Sequence, residues 1–380
     1  MLKKILLILV ALIGLALALF KFTAIPVPLA ENSVSATWLQ PGPQAVTYFD
    51  ITLADRSRPL QANGDFAGDD QRELKTRIWV PEPMYGKAPL VIYSHGFMSD
   101  RNGGRYLAEH LASHGYIVAA MDYPLTHFDA PGGPLVKDVV NQPADISFLL
   151  DQLLSWNAEQ GNQFYQHIDE SRIAAIGLSL GGMTSTLVAY HPRLHDPRIA
   201  AAVSIAGPSY MLSPAFFRHR KLPFMMIASP DDPMIDYAEN AADIPERVPG
   251  AILVSIDGAS HTGFASVATA LRWLENPDSI GCHQVTQGLE KTEDEDWSWQ
   301  LGSAEEGLIF GEQPKLCTQM PLPPAMNPIR QHWLNTLAVY TFLESQFALA
   351  ELQRRAAHDF LMNKFPAEQT DVRVRGGRVQ

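Results

Sequence analysis

Short apolar runs alternate with amphipathic stretches from residue 46 to about 275, and that alternation sets the first expectation of the fold. Residues 46–53 and 74–80 read as strands, the first with Tyr48 and Ile51 among polar neighbours. Leu90-Val91-Ile92-Tyr93 is a continuous apolar run of the kind buried on both faces of a sheet. Residues 117–121, 172–178, 200–206, 223–228 and 251–256 extend the strand series. Between them 105–114, 144–156 and 182–190 read as helices, the second with Ile146, Leu149, Leu150 and Leu153 on one face. This order predicts an α/β fold: a mostly parallel central sheet with helices on both faces. Residues 276–324 show no clear period, and helical periodicity returns from 328 to about 364. The expected organisation is therefore one domain over 46–365, an insertion at 276–324 before the last helix, and a flexible tail at 366–380.

The densest apolar block lies at the start. After Lys3 and Lys4, residues 5–20 carry no charge, and Lys21 closes them. As a helix that block is about 24 Å long, short of the roughly 30 Å bilayer core. A basic start before a short apolar stretch is the signal-peptide arrangement, with Ala16-Leu17-Ala18 as a small-residue cleavage site. The other reading is a retained membrane anchor, extended through Lys21-Phe22 towards Ile25. Residues 1–25 are thus signal or anchor, 26–45 a Pro-punctuated linker, and either way the body is exported: periplasmic, secreted or membrane-tethered. Cys282 and Cys317 stand in no CxxC pair, which speaks against zinc. In an exported chain they favour a disulfide, the alternative being two unrelated buried thiols. No metal or cofactor is called for. The net charge of −12 argues against nucleic-acid binding. Its densest cluster, residues 293–296, reads as a solvated surface without the EF-hand spacing for calcium.

Gly177-Leu178-Ser179-Leu180-Gly181 follows an apolar strand and precedes a helix, the strand–turn–helix that exposes a nucleophilic serine. A serine hydroxyl needs a base. Among 12 histidines, His261 lies in the flexible loop just after the last strand, at the carboxyl edge where Ser179 also emerges. His95 suits a backbone role, His110 and His114 a solvated helix face, and His127 a substrate contact. The acid that orients the imidazole is expected after residues 225–227, at Asp232, with Asp231 as the alternative and Asp257 less favoured. Ser94-His95-Gly96-Phe97 follows a buried strand, so the Phe97 and Leu180 N–H groups are candidates for an oxyanion hole. Met98, Tyr123, Phe128, Tyr210, Met211, Phe216 and Phe217, all on loops after strands, are candidate pocket walls, with ordinary core packing as the other reading.

Ser94-His95-Gly96-Phe97, Gly177-Leu178-Ser179-Leu180-Gly181-Gly182 and Gly258-Ala259-Ser260-His261 resemble motifs of the α/β-hydrolases. Asp145-Ile146-Ser147-Phe148-Leu149-Leu150-Asp151 and Leu111-Ala112-Ser113-His114-Gly115-Tyr116 are similar to bacterial predicted dienelactone hydrolases, a group related to platelet-activating-factor acetylhydrolases. The resemblance covers roughly 46–275 and the helix near 330–350. Dienelactone hydrolases proper use a cysteine where this chain has Ser179, and the acetylhydrolases carry their acid after a strand whose counterpart here, 204–209, has no carboxylate. The resemblance implies serine esterase chemistry without naming a particular ester; the residues themselves point to hydrolysis of a small-molecule or lipid carboxylic ester through an acyl-enzyme. A lipid-directed acylhydrolase, associated with the membrane through residues 5–20, and an inactive hydrolase-fold binding protein of the envelope are the competing readings.

Overall fold

A computed structural model describes residues 2–23, 25–290, 297–311 and 314–377. Nine strands form one sheet: β1 (Ala45–Asp55), β2 (Arg72–Glu82), β3 (Ala88–Ser94), β4 (Ile117–Asp122), β5 (Ile168–Leu178), β6 (Ala201–Ile205), β7 (Phe224–Ala228), β8 (Ile252–Ile256) and β9 (Val372–Gly376). Their spatial order is β1-β2-β4-β3-β5-β6-β7-β8-β9. Strands β4, β3 and β5 to β8 run parallel; β1, β2 and β9 are antiparallel to their neighbours. The α/β architecture expected from the alternation is therefore present. All seven residues of β3 and all of β4, β6, β7 and β8 are buried, which is why these strands read as unbroken apolar runs.

The helices are α1 (Leu2–Thr23), α2 (Val34–Trp38), α3 (Arg105–Ser113), α4 (Gln142–Ala158), α5 (Leu180–Tyr190), the short α6 (Tyr237–Asn240) and α7 (Ile244–Arg247), α8 (Asp278–Glu290), α9 (Pro328–Phe347), α10 (Glu351–Asp359) and α11 (Phe365–Glu368). Side chains of α4 and α5 build the core on one face of the sheet, and those of α3 and α9 the core on the other. Among the described residues no helix is long and apolar enough to cross a membrane. The stretch read as a linker contains α2, whose first N–H groups, at Val34 and Ser35, donate to the Glu368 carboxylate at 2.9 and 2.7 Å. The acidic cluster 293–296 lies outside the described residues.

Two expectations need correction. The end of the chain is not a loose tail from 366 onwards, because Val372–Gly376 pairs antiparallel with β8 as an edge strand. Asp371 and Arg373 reinforce it through ion pairs to Arg330 and Asp257. The alternation Val372-Arg373-Val374-Arg375 puts polar side chains between its valines, a half-buried strand pattern too short to stand out. His110 and His114 do not form a solvated face: both rings pack on Tyr340 of α9. Burial holds the first down to about 3, with His114 adding to the effect.

A further buried feature braces the loops at the sheet's carboxyl edge. Arg72, 1% exposed, donates to both Asp138 and Asp145, and Arg58 reaches Asp145 as well. Gln142 at the start of α4 then bonds Thr126 and the Thr184 hydroxyl of α5. Ending the chain at residue 370 should lower the thermal midpoint and promote self-association, since β8 would become an open edge. Thermal unfolding with light scattering checks this.

Candidate active site

Ser179 occupies the turn from β5 into α5 with φ 56° and ψ −122°. A non-glycine residue in such a conformation costs roughly 1–3 kcal/mol and persists only where its surroundings hold it. Its N–H donates to the Ile205 carbonyl at 2.8 Å, tying the turn to β6. A Cβ on Gly177 would lie 2.0 Å from the Gly181 carbonyl oxygen, and one on Gly181 would lie 2.1 Å from that of Ser94. These two glycines are therefore required by backbone meeting backbone. The loop after β3 runs directly against the serine, for a Cβ on Gly96 would stand 3.2 Å from Ser179 Cβ. Among the described residues, neither the Phe97 N–H nor the Leu180 N–H has an acceptor.

His261 lies after β8 and Asp232 after β7. The His261 Nδ1 to Asp232 Oδ2 distance is 2.7 Å. Asp232 Oδ1 accepts from the Met234 and Ile235 N–H groups at 2.8 and 3.0 Å, so the carboxylate is held at both ends. Asp231 points elsewhere: its Oδ2 accepts from the Gly258 N–H at 2.7 Å. Asp257 pairs with Arg373. Of the three carboxylates considered, the fold brings Asp232 to His261. Burial opposes a charged ring, but the charge and hydrogen bond of Asp232 and the charge of Asp278 outweigh it, so His261 titrates above its ordinary value.

His95 and His127, the other loop histidines considered, have structural partners. His95 is buried, its Nε2 accepting from the Tyr123 N–H at 3.1 Å while Nδ1 meets the Gly96 carbonyl at 2.8 Å. It thus ties the loop after β3 to the end of β4, the backbone role expected of it. His127 Nδ1 accepts from the Asp129 N–H in its own loop.

Beside Ser179 opens a cavity of about 130 Å³. Leu180 and Met183 of α5, Tyr210 and Met211 after β6, and Met234 and Ile235 of the Asp232 turn form part of its wall. The rest comes largely from segment 276–324: Val285 and Leu289 of α8, with Trp297, Pro314 and Leu316. Of the sequence-predicted wall residues, Tyr210 and Met211 line this cavity. The other pocket candidates are not in the wall. Tyr123 is a core residue whose hydroxyl meets Ser94 Oγ at 2.7 Å. Phe216 and Phe217 are fully buried, packed edge-on to His191 and Tyr190. Phe128 is 60% exposed on the surface, and Met98 lies under α8, where a Cβ on Gly288 would be 2.6 Å from its Sδ. Aromatic residues after strands serve core and pocket equally, so composition could not separate them.

From the sequence the segment 276–324 is expected to cap or flank the site, but without a helix or named residues; α8 and its wall residues are what that reading lacks. A signal existed: Asn276-Pro277-Asp278 is a helix-start pattern, an Asx cap followed by proline and an acid. The expected bridge between Cys282 and Cys317 is present, joining α8 to the loop near the Asp232 turn. The Cys317 N–H donates to the Pro233 carbonyl at 2.7 Å.

A serine on a strained strand-to-helix turn, a histidine–carboxylate pair from the last parallel strands and two N–H groups without an acceptor thus share the carboxyl edge of the parallel strands. Residues 75–274, just over half of the chain, match the PET hydrolase-like family (PETase), and the chain belongs to it. That membership, with the nine-stranded sheet, makes it a protein of the α/β-hydrolase type. It is also similar to a 20-hydroxy-prefusarin hydrolase of Gibberella moniliformis, 31% identical over 146 residues; the match covers 37% of this chain and 32% of that protein. The chain thus spans about a third of the length of that relative. A ferulic acid esterase from Streptomyces cinnamoneus superposes with a TM-score of 0.48 at 22% identity, over 65% of this chain and 84% of the other.

Gly181→Ala should destabilise the fold by at least about 1–3 kcal/mol, the range for overpacking a tight interior. The collision is with backbone, which cannot rotate away. Denaturant unfolding of the variant measures it.

Proposed function

We propose that the protein hydrolyses carboxylic esters bearing a compact apolar group, through a Ser179–His261–Asp232 triad and an acyl-enzyme. The observation that carries this reading is the 2.7 Å contact of Asp232 with His261 Nδ1, on the sheet edge where Ser179 emerges beside an apolar cavity. Asp232 holds the proton on Nδ1, leaving Nε2 free as the base. His261 takes the Ser179 proton as Oγ attacks the ester carbonyl, and the developing oxyanion is met by the Phe97 and Leu180 N–H groups. The same proton passes to the leaving alcohol. Water, deprotonated by His261, then attacks the acyl-enzyme, and Ser179 recovers its proton as the acid departs.

The cavity volume bears on the substrate. An apolar cavity of roughly 150 Å³ takes up benzene, so about 130 Å³ suits a short acyl or single-ring group. This favours a small-molecule ester over the lipid-directed alternative. The segment 276–324 acts as an insertion that walls the site, and its disulfide suits an oxidising compartment. With the N-terminal helix as signal or tether, the body works outside the cytoplasm.

A fluorophosphonate should label the wild-type chain at Ser179, and Ser179→Ala should lose both labelling and at least about 10⁴-fold in kcat/KM. A folded wild type that resists labelling overturns the nucleophile. Across acetyl, butyryl and octanoyl esters, kcat/KM should fall with length; a flat profile or a long-chain preference favours the lipid reading. Because the base must be neutral and His261 titrates above its usual range, kcat/KM should decline on acidification with a midpoint above about 6.5. A pH–rate profile measures this midpoint.

A further inference from the structure

The loop that carries His261 is held by a second carboxylate that belongs to no motif. Asp278, fully buried, opens α8 and turns its side chain onto that loop. Its Oδ2 accepts from the His261 N–H at 2.8 Å and its Oδ1 from the Thr262 N–H at 2.6 Å. These two N–H groups begin the single helical turn Thr262–Phe264, so they have no acceptor within that turn. A carboxylate from another element supplies both acceptors. Asp278 is itself fixed: its N–H donates to Asn276 Oδ1 at 2.8 Å, and Asn276 Nδ2 donates to the Pro323 carbonyl at 2.9 Å, where the segment returns. The helix packs directly on that loop: Gly281 lies against Thr262 so closely that a Cβ there would be 2.0 Å from Thr262 Oγ1.

We propose that Asp278 is a positioning residue for His261, fixing the backbone of its loop and supplying a second negative charge towards the imidazolium formed during turnover. The proposal rests on the reading of His261 as the base. The charged groups acting on the ring are Asp232, after β7, and Asp278, from α8. Asp232 sets the tautomer at Nδ1; Asp278 sets where the ring stands, through the main chain. Gln331 of α9 completes the clamp by accepting from the Ser260 N–H and donating to its carbonyl, and it adds no charge. The insertion therefore does more than wall the cavity: its first turn is part of the support of the base.

The test is Asp278→Asn in the full chain. The carboxamide keeps the size, loses the charge, and turns an NH₂ towards one of the two N–H groups. Expected are a kcat reduced by about 10-fold or more with KM within about two-fold, in the manner of supporting residues around a reactive group. The acid midpoint of kcat/KM should move to lower pH by roughly half a unit to one unit, because removing a nearby negative charge disfavours the imidazolium. Asp278→Glu retains the charge and should return the midpoint to the wild-type value. An unmoved midpoint in Asp278→Asn, or a Glu variant with the Asn variant's midpoint, overturns the proposal. Should Asp278→Asn fail to fold, Asn276→Ala frees the Asp278 N–H while leaving both carboxylates. Lost kcat at constant KM then supports the proposal, and wild-type kcat overturns it. Fluorophosphonate labelling of the wild type separates the two levels: an unlabelled wild type removes the triad reading, whereas labelled wild type with unaltered Asp278 variants removes only this one.

Discussion

The structure around the site depends on one close crossing of main chain. The turn from β5 into α5 and the loop after β3 approach until no side chain can stand between them: a Cβ on Gly181 would fall 2.1 Å from the Ser94 oxygen and 2.6 Å from that of His95. Ser179 stands at that crossing at positive φ, with the loop of Gly96 and Phe97 directly against it. Everything else in the site is arranged relative to that pair of loops. His95 makes the crossing rigid from below by joining the loop after β3 to Tyr123, and the bond from Ser179 N–H to Ile205 joins the turn to β6.

Two buried polar systems support the crossing from either side. On one, Arg72 with Asp138 and Asp145 anchors the long connection after β4, and Gln142 passes that anchorage to Thr184, one turn into α5. The burial of Arg72 would weaken its charge, but the two aspartates outweigh that and raise its pKa further. Removing one member would leave a buried charge without compensation, which is far more costly than never having built the network. On the other side, α8 bears on the base and acid loops at once, through Asp278 and through the bridge from Cys282 to Cys317. Closing that loop of 35 residues restricts the unfolded chain by about 3–4 kcal/mol, so a segment without periodicity can still be a firm wall.

Some parts of the site were legible before any coordinates. The glycines of Gly177-Leu178-Ser179-Leu180-Gly181 mark a turn because only glycine tolerates such contact, and the loop after the last parallel strand carries His261 to the sheet edge where Ser179 emerges. Ile235, the apolar residue three positions after Asp232, both donates its N–H to that carboxylate and lines the cavity, a coupling that Asp231 does not share. The pocket aromatics were illegible for a plain reason: Phe216 and Phe217 face inward and Phe128 outward, and a loop without a period does not say which. Asp278 was illegible for another. Its acceptors serve N–H groups 16 and 17 residues away, a distance over which nothing in the local sequence reports a contact.

The sequence by itself determined the alternation of strands and helices, the parallel core of the sheet, the glycine-bounded turn at Ser179 and the placing of Ser179, Asp232 and His261 after parallel strands. Each rests on a local constraint: burial on both faces of a strand, the steric demand of a tight turn, or position at the end of an element. Only the tertiary structure decided that the last residues add an edge strand, that α8 carries a carboxylate to the His261 loop, and how large a group the cavity can hold. Those outcomes depend on which surfaces distant segments present to one another, and that information exists only once the chain has closed on itself.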